Sequence, residues 1–162
     1  MMRVDEFNAL PADDARALVA GWLGVRRWVD EILAGRPYPD AAGLRTRAHD
    51  SALVLTDHEL ASALARHPRI GELPTANGAQ ARHARSEQAG VRAADEERLR
   101  AGNTAYEQRF GHVFLVRAAG RSSAEILAEL RRRLHNDEET ERTETVTALR
   151  DIALLRLEEV VR

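Results

Sequence analysis

The sequence contains neither cysteine nor lysine, and each absence removes a class of chemistry. Without cysteine there are no disulfides, no thiolate nucleophiles and no zinc sites of the cysteine type. All 24 basic residues are arginine, so no lysine is present to form the Schiff base that pyridoxal phosphate enzymes and class I aldolases require. Any reaction that the chain catalyses must therefore use other side chains.

Aromatic residues and long apolar runs are also scarce. Aromatic side chains make up 4% of the chain and the formal net charge is −2, which argues against base stacking and against general attraction to nucleic acid or anionic membranes. No apolar run approaches the length of a membrane span, and residues 1–6 lack the hydrophobic region of a signal peptide. We expect a cytoplasmic protein with neither nucleic acid nor membrane as a partner.

The apolar residues recur at helical rather than alternating spacing, and alanine is abundant. This pattern predicts an all-α fold, with residues 1–162 forming one compact domain of about seven or eight helices. Trp22 and Trp28 are expected in its core. The predicted helices cover residues 11–21, 25–34, 41–53, 56–67, 85–109, 122–134 and 139–160.

Two of these helices begin with a capping box, in which a hydroxyl at the cap is followed three residues later by glutamate. The pairs are Thr56 with Glu59 and Ser122 with Glu125. Residues 110–116 are apolar and partly β-branched, and taken alone they could form a buried strand. Because no second strand is predicted, we expect an extended or irregular segment whose backbone amides are available to a ligand.

The stretch from His67 to Gln88 carries the side chains best suited to chemistry. It begins with His67-Pro68-Arg69-Ile70-Gly71, crosses a run poor in large apolar residues and ends with Ser86-Glu87-Gln88. Histidine titrates near neutrality, and a proline disfavours helical backbone for the residue before it. Taken alone, the same residues also fit a histidine that only caps a helix and a serine that only starts one.

A metal site is the second chemical possibility, since the chain has six histidines. His83 and Glu87 stand four residues apart and would share one face of a helix. However, no His-Glu-x-x-His or comparable ligand spacing occurs. We therefore predict that the protein binds no metal.

Several short motifs, taken in order along the chain, resemble one known family. They are Trp28, Arg36-Pro37-Tyr38, His67-Pro68-Arg69-Ile70-Gly71, Ser86-Glu87-Gln88, Asn103, Tyr106, Phe110-Gly111, Phe114-Leu115-Val116, Gly120-Arg121, Arg131 through Asn136, and Ile152 through Leu157. The ordered set is similar to OHCU decarboxylases, which act on 2-oxo-4-hydroxy-4-carboxy-5-ureidoimidazoline in uric acid degradation. Arg117 departs from the pattern, because the family usually has a small residue there.

The resemblance implies a helical, usually dimeric decarboxylase that uses no cofactor, takes this small molecule as substrate and yields (S)-allantoin. His67 is then the general acid/base, assisted by Glu87. The expected substrate contacts are Pro68, Ser86, Gln88, Phe114, Leu115, Val116, Ala118 and Arg156. Arg156 is expected to orient the substrate, because a strong grip on its carboxylate would stabilise the ground state.

Two other functions stay open at this point. The chain could be a non-catalytic helical paralogue that senses a ligand or mediates an interaction, although His67, Glu87 and Gln88 are all present. It could also be a metal-dependent hydrolase, which elemental analysis of the purified protein would reveal.

Overall fold

The computed structural model describes residues 1–71 and 95–162. These residues form eight α-helices and no strand, which confirms the predicted all-α fold. The one β-type contact described is an isolated parallel bridge between Met2 and Val161. The helices are α1 (Val4–Ala9), α2 (Ala12–Trp22), α3 (Arg26–Ala34), α4 (Ala41–Ala52), α5 (Asp57–Leu64), α6 (Glu96–Phe110), α7 (Ser123–Arg133) and α8 (Glu138–Val160).

The chain divides into two compact units. The first contains Met1–Ala63 and Leu149–Arg162, and the second contains the described residues between Leu64 and Ala148. Helix α8 contributes its first half to the second unit and its last turns to the first. The single-domain organisation stays a prediction.

The first unit is built around two tryptophans. Trp22 and Trp28 are 1% and 0% exposed, so the prediction that both are core residues is confirmed. The indole Nε1 of Trp28 donates to the Ala48 carbonyl at 3.0 Å, which satisfies its polar atom as α3 packs on α4. Helix α2 also packs on α3, and it begins directly after Pro11, which is its N-cap residue.

Helix α1 was not predicted. Its six residues carry a single buried side chain, Phe7, which lies 5.8 Å from Trp22 and 6.4 Å from Tyr38 between ring centroids. Arg36 donates to the carbonyls of Asn8, in the last turn of this helix, and of Leu10, its C-cap residue, at 2.9 and 2.7 Å. Contacts with distant residues therefore hold α1 in place, and a helix this short is marginal by itself.

The second unit contains α6, α7 and the start of α8. The predicted helix over 85–109 is helical from Glu96 to Phe110, and its earlier residues lie outside the described part of the chain. Gly102 does not interrupt α6. A Cβ built there would lie 2.3 Å from Cδ2 of Leu130, so glycine allows α6 to approach α7 closely.

The predicted capping boxes are present at both helices. The Thr56 amide donates to Glu59 at 2.9 Å and the Glu59 amide to Thr56 at 3.2 Å. Ser122 and Glu125 exchange the same pair of bonds at the start of α7. None of the described helices combines the length and the apolar character needed to cross a membrane.

Candidate functional site

The loop formed by residues 67–71 follows α5 and carries the predicted catalytic histidine. The helix ends at Leu64, and a turn bond of 3.1 Å joins the His67 amide to the Leu64 carbonyl. His67 and Pro68 are half-buried, whereas Ile70 is 8% exposed and belongs to the core. Gly71 has a φ of 90°, a left-handed conformation that favours glycine.

Two side chains of α6 hold this 67–71 loop. Nδ2 of Asn103, a residue only 4% exposed, donates to the Ile70 carbonyl at 3.1 Å. One turn further along α6, Glu107 accepts from Nε of Arg69 at 2.8 Å. Asn103 and Glu107 share a helix face because they are four residues apart. The loop that carries His67 is thus joined to α6 by one backbone hydrogen bond and one side-chain ion pair.

Residues 114–118, the predicted substrate-contacting segment, are mostly buried and form neither helix nor strand. Phe114, Val116 and Ala118 belong to the same core cluster as Ile70, while Arg117 between them is exposed. The unexpected arginine therefore points away from that core.

Among the residues that the structure describes, the backbone of this 114–118 segment makes few hydrogen bonds. The Leu115 carbonyl accepts from Arg133 and the Ala118 carbonyl from the Arg121 amide. The amides of Phe114, Leu115 and Val116 donate to no described residue, although these residues are 2%, 5% and 8% exposed. Buried amides are nearly always paired, so a row of such donors is suited to a ligand rich in carbonyl and carboxylate oxygens.

A buried ion pair that was not predicted from the sequence contacts the 114–118 segment at the Leu115 carbonyl. The Arg133 and Glu141 side chains are 2% and 1% exposed, and Nε of Arg133 lies 2.9 Å from Oε1 of Glu141. The Tyr106 hydroxyl donates to the same carboxylate. Burial, and then the hydrogen bond to Glu141, raise the pKa of Tyr106, which keeps its hydroxyl protonated. The one sequence signal was the arginine-rich end of α7 followed by an acidic first turn of α8.

Arg156 lies in the first unit, on α8, and is 1% exposed. Its Nη1 lies 3.2 Å from the Trp22 carbonyl and 3.5 Å from that of Gly21. These carbonyls are at the C-terminal end of α2, where a cation is favoured by the helix dipole. Arg156 thus stabilises the end of α2, and its contact with substrate stays a prediction.

Ser86, Glu87 and Gln88 lie outside the described residues. Of the predicted site residues that are described, His67, Pro68, Phe114, Leu115, Val116 and Ala118 all belong to the second unit, and Ile70 of the 67–71 loop packs in one core cluster with Phe114, Val116 and Ala118. Across residues 1–71 and 95–162, no group of three histidine, aspartate or glutamate residues has the arrangement to hold a metal ion. The described part of the predicted site therefore holds the His67 imidazole and the backbone amides of Phe114, Leu115 and Val116.

Comparison with known proteins identifies the family. The chain is 25% identical, over all of its length, to the uric acid degradation bifunctional protein of Bacillus sp. (strain TB-90), and it spans 33% of that relative's length. It is similar in fold to a crystal structure of OHCU decarboxylase determined in the presence of (S)-allantoin, with a TM-score of 0.72 and 21% identity, covering 87% of this chain and 94% of that one.

A crystal structure of (S)-allantoin synthase gives a TM-score of 0.73 at 17% identity, covering 99% of this chain and 54% of that one. The model of the OHCU decarboxylase family matches residues 8–158. Since this match takes in nearly the whole sequence, the chain belongs to the OHCU decarboxylase family.

Proposed function

We propose that the chain decarboxylates 2-oxo-4-hydroxy-4-carboxy-5-ureidoimidazoline to (S)-allantoin without a cofactor. Family membership supports the reaction class, and the relative from Bacillus is named for uric acid degradation. The observation that carries the proposal for this chain is the 67–71 loop, which α6 anchors and whose Ile70 packs in one core cluster with Phe114, Val116 and Ala118.

The substrate explains why no lysine or metal is needed. When the bond to the carboxylate breaks, its electron pair passes into the neighbouring C=N group, whose nitrogen takes up a proton. The enol left behind returns to a carbonyl when its hydroxyl proton departs and the adjacent ring carbon is protonated. The protein must then orient the substrate and deliver that last proton to one face of the ring.

His67 is suited to that delivery because an imidazole near neutrality both accepts and donates protons. Glu87 is assigned to the substrate hydroxyl, whose proton a carboxylate can accept. The amides of the 114–118 segment are assigned to the substrate's oxygen atoms, together with Pro68, Ser86 and Gln88. Arg156 orients the substrate in this assignment.

The proposal is tested with freshly generated substrate, produced by uricase and hydroxyisourate hydrolase. The purified chain, dialysed against a chelator, should accelerate loss of the intermediate's ultraviolet absorbance at a rate that added metal ions do not change. A chain that is inactive after dialysis and recovers with a metal would instead be a metal-dependent enzyme.

The proposed assembly is a cytoplasmic homodimer. The chain has a mass of 18.0 kDa, so light scattering on a sizing column should give about twice that value. A mass of one chain at micromolar concentration would contradict the dimer.

A further inference from the structure

We infer that the Arg133–Glu141 pair is a positioning device for the 114–118 segment: it fixes the Leu115–Val116 peptide so that the Val116 amide faces the substrate. The inference rests on the proposed function, because it assigns that amide to substrate binding. Neither residue is among the side chains predicted to touch substrate. Both act through the backbone that they hold.

The arginine is bonded on every side of its guanidinium. Nε and Nη2 bind Glu141, with Nε 2.9 and 3.2 Å from its two oxygens and Nη2 2.5 Å from Oε1. Nη2 also lies 3.1 Å from Oγ1 of Thr145. The remaining nitrogen, Nη1, donates to the Leu115 carbonyl at 2.5 Å. One rigid planar group therefore joins α8 to a single carbonyl of the segment.

The carboxylate of Glu141 is held just as firmly. It accepts from the Tyr106 hydroxyl on α6 and from Nδ2 of Asn136, the latter at 2.9 Å. Desolvating two charges costs several kcal/mol per ion, and a well-packed apolar pair is often at least as stable. A buried pair with this many bonds is thus better suited to fixing a geometry than to adding stability.

The geometry that it fixes is the direction of one peptide. The Leu115–Val116 peptide is trans, so its carbonyl and its amide point in opposite directions. Since the Leu115 carbonyl points at Arg133, the Val116 amide is directed away from the ion pair, and it donates to no described residue. The Phe114 ring lies 4.9 Å below the guanidinium carbon, which holds the preceding residue as well.

The test is Arg133→Lys, which keeps the charge but cannot reach Glu141 and the Leu115 carbonyl together. We expect KM to rise about tenfold, the equivalent of one substrate hydrogen bond, while kcat changes less than about threefold. Arg132→Lys is the matched control, because Arg132 is half-exposed and pairs with Glu129 and Glu144 on the surface. Its KM should stay within about twofold of wild type.

Tyr106→Phe separates positioning from stability. It removes one bond to Glu141 and leaves Arg133 on Leu115, so the thermal midpoint should fall while KM is unchanged. If Tyr106→Phe raises KM as much as Arg133→Lys does, or if Arg133→Lys loses stability with a native KM, the pair is only structural and the inference is wrong. If Arg133→Lys does not fold, Glu141→Gln replaces it: it removes the charge that holds the guanidinium in place and must raise KM by at least about twofold.

Failure of the proposed function looks different from failure of this inference. In the first case, wild-type protein does not accelerate loss of the substrate over the enzyme-free control. In the second, wild type is active and its KM does not respond to Arg133→Lys. A binding readout without turnover completes the test: titration with (S)-allantoin should shift the Val116 amide resonance in wild type and in Arg132→Lys, and leave it unshifted in Arg133→Lys.

Discussion

His67 is the residue on which the proposed chemistry depends most. Proton transfer by a positioned side chain contributes about 10² to 10⁴-fold to a rate. His67→Asn keeps hydrogen-bonding capacity and loses the titratable group, so kcat should fall within that range. The fold should survive, since the side chain is half-buried and lies outside the core cluster. A near-native kcat with unchanged thermal stability would reduce His67 to a helix-capping residue.

Glu87 is expected to share the proton handling with His67. Glu87→Gln keeps the shape of the side chain and removes the charge, so its loss should also be mainly in kcat. If both residues act as one unit, the double variant should be little slower than the slower single variant. Values of kcat for wild type, the two single variants and the double variant distinguish these cases. Additive losses would mean that the two residues have separate roles.

Asn103 shows what a single residue contributes to the position of the 67–71 loop. Asn103→Ala leaves the buried Ile70 carbonyl without its donor, which should lower the free energy of unfolding by about 1–3 kcal/mol and lower kcat as the loop loosens. Thr104→Ala is the neighbouring control, because its exposed hydroxyl donates only to the Arg100 carbonyl. Urea unfolding of both variants checks this; equal midpoints would refute the anchoring role.

At the scale of helices, the start of α5 combines a capping box with an ion pair. Glu59 accepts from the Thr56 amide, and both of its oxygens bind Arg27, with Nε at 2.8 Å and Nη2 at 3.2 Å. The hydrogen bond from Arg27, followed by that from the Thr56 amide, holds the pKa of Glu59 below its ordinary value of 4.5 despite partial burial. The charged form is therefore stabilised by folding.

This arrangement predicts a pH dependence. A carboxyl whose pKa is lowered in the folded state contributes stability above its ordinary pKa and loses it as pH falls through the folded value. Glu59→Gln keeps the capping box and loses the ion pair. Wild type should be more stable than Glu59→Gln at pH 7, and this difference in stability should disappear below about pH 4. Thermal midpoints measured from pH 3 to 7 test this, with Glu97→Gln, a change at an exposed residue, as control. A difference between wild type and Glu59→Gln that stays constant over this range would contradict the prediction.

Helix boundaries were predictable where local chemistry sets them, and less so elsewhere. The Thr56 and Ser122 capping boxes and the apolar spacing of α3 and α7 are local signals, and the structure agrees with them to within a few residues. Helix α1 has no such periodicity, because Phe7 is its one core residue and its contacts come from residues 15 or more positions away. Tertiary contacts of this kind leave no pattern in a short stretch of sequence.

At the scale of the whole molecule, the family was recognisable because its motifs occur in a fixed order, although each one is weak alone. The backbone role of residues 114–118 stays a prediction. The buried side chain that binds the Leu115 carbonyl, that of Arg133, was not predicted. Arg133 and Glu141 look like ordinary surface charges in the sequence, near the helix ends where such charges are common. Only packing in the second unit shows that they are buried and bonded to each other.

The central claim is that this chain decarboxylates the ureidoimidazoline and protonates one face of the ring, and the optical activity of the product tests it most directly. The uncatalysed reaction protonates a planar carbon without preference and gives racemic allantoin. Circular dichroism of the product should show (S)-allantoin with wild type, formed faster than in the enzyme-free control, and nearly racemic allantoin with His67→Asn. Racemic product from the folded wild-type chain, at the rate of the enzyme-free control, would contradict the claim.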